Sequence, residues 1–361
     1  MNADQDVHAG LCRACGAPAH EHDRFCEECG RPDPTTPDAA PYAVPAAAPD
    51  AVLSVRPAPS GAEVCGDCGG REVGLDGYCG RCGLRQPSGR EHVEVGLGDV
   101  AAAVSDLGLR RGRNEDAFAL AELDYGACAV VCDGVATAPG SEEASRQAAD
   151  AAVGVLAERV PAGVDPRDAI REAAERANAV VAKLADDPES APACTFVSAV
   201  VDGPDVTVGW IGDSRAYWLS AEGSCGGPPR LLTRDDSWAG EMVESGEMSA
   251  AEAWADRRAH LLTAWLGADG GAGRPRIAAF RPAGPGLVLI CSDGLWNHLP
   301  DAADLAAVAL DGTDGPDGPL GAVRRLLRAA LAAGGHDNVT VAVIPCPPPE
   351  SSRETTREPG R

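Results

Sequence analysis

The chain has 361 residues, with 31 Lys plus Arg against 55 Asp plus Glu and a formal net charge of −24. That balance disfavours nucleic acid or an anionic membrane as the main partner and suits a binder of cations. Lys183 is the sole lysine, which removes the Walker A lysine, the kinase lysine and most Schiff-base chemistry.

No apolar run reaches the length of a membrane span. The start, Met1 to Asp6, lacks the basic and apolar regions of a signal peptide, so a cytoplasmic location is expected. Eight of the fourteen cysteines precede residue 83, in two matching blocks. Cys12-x2-Cys15 goes with Cys26-x2-Cys29, and Cys65-x2-Cys68 with Cys79-x2-Cys82. In each block ten residues separate the inner cysteines, and a glycine follows the second cysteine of every pair. Four thiolates suit a tetrahedral zinc, and the glycines let each knuckle turn back on the metal. The blocks therefore read as two zinc ribbons, residues 8–33 and 61–87, each with one structural Zn2+. A disulfide framework would need an exported chain. His20 and His22 are surplus to a four-cysteine site. Ribbons this small draw their folding energy from the metal, and a closed site leaves no position for substrate. Their expected role is protein docking or regulation. A Cys-x5-Arg pattern at Cys79 and Arg85 is not a phosphatase loop, because Cys79 is taken as a zinc ligand and no Ser or Thr follows Arg85. Met1 to Glu94 holds eight arginines, no lysine and fifteen acids, a net of −7, the wrong sign for a nucleic-acid reader.

Between the ribbons, residues 34–60 are dense in proline and alanine and read as an extended spacer. Residues 94–346 have globular composition, and the charged, proline-rich 347–361 reads as a disordered tail. Inside the globular part, the apolar run Ala127 to Cys132 stops at Asp133-Gly134. Such runs, ended by turn formers, read as buried strands. An alanine-rich helix starts near Ser141. Asp165-Pro166 opens a second helix, with the acid as cap and proline in the first turn. Its apolar face is Ile170, Ala173, Ala174, Ala177, Val180, Val181 and Leu184. Four β-type segments follow, Cys194 to Val201, Val206 to Ile211, Ala216 to Leu219 and Arg230 to Thr233, and their short connections suggest antiparallel hairpins. A polar, partly helical insert occupies Ser237 to Leu266. A second buried run, Leu287 to Cys291, stops at Ser292-Asp293-Gly294. A late helix, Leu320 to Leu331, ends at Gly334-Gly335, and the last strand is Val339 to Ile344. Strands grouped with strands and helices with helices argue for α+β layers, not a βαβ wind.

Five acidic settings recur at strand ends and turns: Glu115-Asp116, Asp133-Gly134, Asp213, Asp293-Gly294 and Asp337. Any one alone could be a turn former or a cap. Carboxylates at the ends of distant strands can converge on one cation, and glycine lets a carbonyl approach the same ion. Such oxygen ligands suit Mg2+ or Mn2+. Two such ions about 4 Å apart share a bridging carboxylate and an activated bridging water, which attacks phosphorus in line. Arg111 or Arg113, just before Glu115, could grip the phosphate.

These stretches together resemble the protein phosphatase 2C type of metal-dependent serine/threonine phosphatase, in its bacterial form. The matching runs are Ser105-Asp106-Leu107-Gly108 through Arg111 to Asp116-Ala117; Val131 to Gly134; Ile211 to Tyr217; Leu232 to Ser237; Ser292 to Trp296; and Gly335 to Thr340. The resemblance implies a four-layer α-β-β-α sandwich of two antiparallel sheets with metals in the cleft between them. It implies that Asp133 bridges both metals, that Gly134 offers its carbonyl, and that Asp293 and Asp337 complete the second site. Glu115 and Asp116 hold coordinated waters, Arg111 grips phosphate, and Asp213 with Asp293 binds a third, weaker metal. The substrate it implies is a phosphoprotein made by a serine/threonine kinase. Residues 237–266 match the flap beside the cleft.

The chain departs from the family in places. The usual Asp-Gly-x-Gly-Gly reads Asp133-Gly134-Val135-Ala136-Thr137, and Val135 stands where some relatives have a histidine acid. Asp236 replaces a common histidine, and His260 and Ala264 replace usual flap residues. The altered loop keeps open a silent scaffold as the alternative. Ser214 and Ser292 lack an activating histidine and are not nucleophiles. Cys128, Cys132, Cys194 and Cys291 read as small core residues. His298 and His336 read as local hydrogen-bonders.

Overall fold

The computed structural model describes residues 89–347, except 136, 137, 139, 186–190, 222, 270–273 and 312–317, together with Arg81 and three two-residue strands nearer the start. The eight ribbon cysteines, most of the spacer and the tail lie outside the described residues. The chain divides into two units, Met1–Pro49 and Asp50–Arg361. In the first, β1 (Gly10–Leu11) pairs antiparallel with β2 (Pro18–Ala19), so the pair brackets Cys12 and Cys15 in sequence.

The second unit begins with β3 (Leu53–Ser54), β4 (His92–Gly96), β5 (Ala102–Asp106), β6 (Ala117–Leu123) and β7 (Gly126–Cys132). Two helices follow, α1 (Ser141–Arg159) and α2 (Pro166–Ala182). Next come β8 (Ala193–Cys194), β9 (Phe196–Asp202), β10 (Asp205–Ile211), β11 (Arg215–Leu219) and β12 (Arg230–Leu231). The polar insert carries α3 (Trp238–Glu244) and α4 (Ala250–Ala255), before β13 (Leu266–Gly267), β14 (Arg276–Phe280) and β15 (Gly286–Cys291). The chain closes with α5 (Asp293–Trp296), α6 (Ala302–Leu310), α7 (Gly318–Ala332) and β16 (Val339–Cys346).

Two six-stranded antiparallel sheets result, in the orders β14-β10-β9-β7-β6-β3 and β12-β11-β15-β16-β5-β4. Side-chain alternation along each strand builds the layers. In β7, Ala127, Ala129 and Val131 face the core between the sheets. Cys128, Val130 and Cys132 face the other way, onto α1 and α2. The second sheet does the same, with Val288 and Ile290 inward and Leu287, Leu289 and Cys291 under α5, α6 and α7. The four cysteines read as core residues are all buried. Small side chains let α1 lie close to its sheet, since Ala144, Ala148, Ala149 and Ala152 are fully buried. Asp165 caps α2 by accepting from the Arg167 amide at 2.8 Å. At the end of α7, Gly334 and Gly335 both take positive φ, and the Gly335 amide bonds back to the Ala330 carbonyl.

One connection differs from expectation. β9 and β10 form the expected antiparallel hairpin, and β11 pairs with β12. β10 and β11, however, belong to different sheets. Residues 212–214 carry the chain from one sheet to the other. Trp210 and Ala216, either side of the crossing, both face the core between the sheets. Gly212 makes the crossing possible, with φ +99 and the Thr195 side chain 2.9 Å from where a Cβ would sit. A short link between two apolar strands shows that they are near, not that they pair.

Candidate functional site

The register places the acidic residues at one end of the sandwich. Ala117 pairs with Cys132, Arg215 with Cys291, and Cys291 with Val341. Just beyond these rungs come Glu115-Asp116, Asp133-Gly134, Asp213, Asp293 and Asp337. Strand ends from both sheets thus meet in one cleft of about 590 Å³, open to solvent. Arg111, Glu115, Asp133, Gly134, Asp213, Asp293 and Asp337 line it. Arg113, the alternative arginine, is exposed and is not among the cleft's lining residues.

Asp116 lies behind the cleft wall, 2% exposed. Ser292 Oγ donates to its Oδ2 at 2.7 Å, while its Oδ1 is buried with no hydrogen-bond partner among the described residues. Burial pushes the Asp116 carboxyl up to about 6. Asp213 is pushed up to about 7, by burial first and by Asp235 second. Asp133 is pushed well above the carboxylate range by burial, then by repulsion from Asp116, Asp293, Asp213 and Asp337. Asp293 is raised by burial, then by Asp213, Asp337 and Asp116, with Arg111 opposing. Among the described residues, Arg111 supplies the one guanidinium lining the cleft, and it is ion-paired with Asp337.

Clustered buried carboxylates that raise one another are the electrostatic signature of a place for cations. Among the described residues no three His, Cys, Asp or Glu side chains stand at the spacing of a closed ligand cage. The donors still fit a hard divalent ion. They are all oxygens, one carboxyl oxygen beside them is orphaned, and two of the acids sit on rigid strand ends. Gly134 completes the fit. A Cβ there would lie 2.7 Å from the Glu115 carbonyl and 2.9 Å from Ser141 Cβ, so only glycine brings this backbone to the cleft wall.

Several side chains that position these acids carry no signal of spacing in the sequence. The Asp133 amide donates to Thr195 Oγ1 at 3.0 Å, and the Thr195 amide donates to the Asp133 carbonyl at 2.8 Å. Thr195 therefore holds Asp133 from both backbone sides. Asn338, buried and also lining the cleft, accepts from the Glu115 amide at 2.8 Å. Its amide nitrogen donates to the carbonyls of Leu107 and Arg113 at 2.9 and 2.8 Å. Ser141, at the start of α1, donates to Glu115 Oε1 at 2.7 Å. Ser292, set aside as a nucleophile, is a donor to Asp116. Asn338 could have been found by its place beside Asp337; Thr195 could not.

The departures from the family pattern also have places. Val135 lines the cleft, while Ala136 and Thr137 lie outside the described residues. Asp236 accepts from the Gly212 amide at 3.1 Å and pairs with Arg276 at 2.8 Å. It braces the sheet crossing. His260 lines the cleft. His298 and His336 face each other with ring centroids 5.2 Å apart.

The chain is similar to known proteins in sequence and in fold. The Protein phosphatase 2C family model matches residues 110–313. The serine/threonine protein phosphatase PstP of Mycobacterium tuberculosis is 31% identical over 246 residues, covering 67% of this chain and 44% of PstP. The chain thus spans less than half the length of that relative. The structure of the S. agalactiae serine/threonine phosphatase superposes with a TM-score of 0.58 at 24% identity, over 68% of this chain and 98% of that one; at that identity it speaks for the fold alone. The catalytic domain of PstP, solved in complex with two manganese ions, superposes with a TM-score of 0.53 at 26% identity, over 70% of this chain and 99% of that one. With a family match over more than half of its length and the same two-sheet architecture, the chain belongs to the protein phosphatase 2C family.

Proposed function

We propose that the chain is a metal-dependent phosphatase of phosphoserine and phosphothreonine in proteins. One observation carries the reading: carboxylates from both sheets share a single cleft with one arginine, and burial plus mutual repulsion hold Asp133 and Asp293 far above their ordinary range. Asp133, the Gly134 carbonyl, Asp293 and Asp337 would hold two Mg2+ or Mn2+ ions, and Asp213 with Asp293 a third, weaker one. Such a pair supplies a water of lowered pKa near neutral pH and neutralises charge on the phosphoryl oxygens. The manganese-bound relative and the curated name of the M. tuberculosis protein support this choice of ion and substrate.

The chain's own residues then have defined work. Arg111, ion-paired with Asp337 in the structure, would take the phosphoryl oxygens in bidentate fashion, and Asp337 would serve as a metal ligand. Glu115 orients water at the edge of the site, Asp116 stands behind the cleft wall with its Oδ1 unpartnered among the described residues, and Thr195 keeps Asp133 in place. Val135 offers no proton at the position where some relatives have a histidine acid. Hydrolysis of an aryl phosphate and of phosphoseryl and phosphothreonyl peptides, with and without manganese, tests this directly. Manganese-independent turnover, or none on any of the three, would count against it.

The cysteine blocks lie outside the described residues, and we propose the role their spacing supports. Cys12, Cys15, Cys26 and Cys29 hold one structural Zn2+, and Cys65, Cys68, Cys79 and Cys82 a second. The ribbons dock a protein partner. Native mass spectrometry should find two zinc ions, lost on chelation or on Cys→Ser substitution in either block. Among the described residues no helix is long and apolar enough to cross a membrane.

A further inference from the structure

We propose that Trp296 is a positioning residue through which the flap, residues 237–266, holds the turn that presents Asp213. The inference rests on the phosphatase reading for its consequence but not for its geometry. α5 is a single turn with Asp293 at its start and Trp296 at its end. The Trp296 indole N–H donates to the backbone carbonyl of Asp213 at 3.0 Å. One four-residue element therefore carries one cleft acid and ties down the backbone of another, although Asp213 and Asp293 repel each other.

The same ring is held from two sides. Arg215 lies over it, with its guanidinium carbon 3.6 Å from the ring centroid. Arg215 is fixed by a bidentate pair with Asp235, at 2.9 and 2.8 Å, and both side chains are almost fully buried. A desolvated cation over an indole face is among the stronger contacts of its kind. From the flap, Trp254 of α4 meets Trp296 edge-on at 6.0 Å, and His260 stacks on it at 6.2 Å with 22° between planes. Trp254 also packs on His260 and lies 5.4 Å from the Arg215 guanidinium. His260 lines the cleft. The small apolar core of the flap, Ala239, Ala253 and Ala259 with Trp254 against it, thus ends on the ring that holds Asp213. A second tie, from Asp236 to the backbone of Gly212, enters at the base of the flap. It does not pass through Trp254, so the two routes can be separated by substitution.

The consequence is that a protein substrate pressing on the flap acts on the Asp213 turn through stacked rings, and the reverse. Hydrogen exchange of the full chain, without added manganese, reads the coupling apart from activity. Trp254→Leu, at a side chain that does not line the cleft, should speed exchange in the flap and also within residues 211–215, the latter by about fivefold or more, the scale of one net hydrogen bond. Trp296→Phe keeps a ring but loses the N–H, and should speed 211–215 while leaving the flap nearly as protected as in the unsubstituted chain. Calorimetric titration with manganese alone should then show weaker binding of the last ion in both variants. If Trp254→Leu loosens only the flap and leaves both 211–215 and the manganese titration unchanged, the proposal is overturned. A variant too unstable to compare is replaced by Trp254→Phe, read by the same criteria. Failure of the phosphatase reading itself would show separately, as absent manganese-dependent turnover by the unsubstituted chain.

Discussion

Asp293 is the side chain on which the most depends. It faces Asp213 and Asp337 across the cleft and is raised by both. Replacing it by asparagine keeps the shape and removes the charge. Asp293→Asn is therefore expected to abolish manganese-dependent hydrolysis of an aryl phosphate, and full retention of turnover would show that its role is misassigned. Arg111 is a different case. Its guanidinium is exposed enough to move and is already committed to a carboxylate in the cleft. Arg111→Ala should raise KM roughly tenfold or more, the scale of a lost charge-assisted contact, with a smaller effect on kcat. A drop in kcat at constant KM would instead place Arg111 in the chemical step. The sequence showed Arg111 and its partner Asp337 as members of motifs. It did not show that they lie within a side chain's reach of each other, because Arg111 and Asp337 are 226 positions apart.

Strands and their caps explain how such residues are held. β7 and β15 are short, fully apolar and ended by an acid next to glycine, which is why their ends were legible in advance. The loop from Leu107 to Glu115 has no regular structure of its own and is held by Asn338 at the start of β16, through three hydrogen bonds. Asn338→Ala should lower stability by about 2–4 kcal/mol, three bonds at roughly 1 kcal/mol each, and should lower turnover by displacing Glu115. Urea unfolding measures the first and an aryl phosphate assay the second. Unchanged stability would mean that the loop is held by something else. The late helix, the capped α2 and the partly helical flap were readable from period and caps. The crossing at residues 212–214 was not. Both flanking strands are buried on both faces, so no alternation reveals which sheet each one joins.

For the protein as a whole, the crowding of carboxylates sets a pH dependence with a definite sign. Asp116 titrates near 6 and Asp213 near 7 in the folded chain, against about 4 when unfolded. Between those values the folded chain holds more protons than the unfolded one. The stability these two groups allow is complete below about pH 4 and is lost as pH rises through about 6 and about 7. Without metal, the melting temperature of the chain should thus fall from pH 5.5 to pH 8. Added manganese should raise it and flatten that slope, because an ion bound only by the folded state stabilises it. Calorimetry in chelator and in manganese tests this, and a metal-free melting temperature that climbs with pH would contradict it. What the sequence determined by itself was local: which runs bury, which acids end them and which helices are capped. Those features depend on neighbours a few residues away. The tertiary structure alone decided that the chain crosses between sheets at Gly212, that Thr195 and Asn338 brace the acids, and that Arg111 rests on Asp337. Each of these depends on the register in which distant strands meet, which no local pattern encodes.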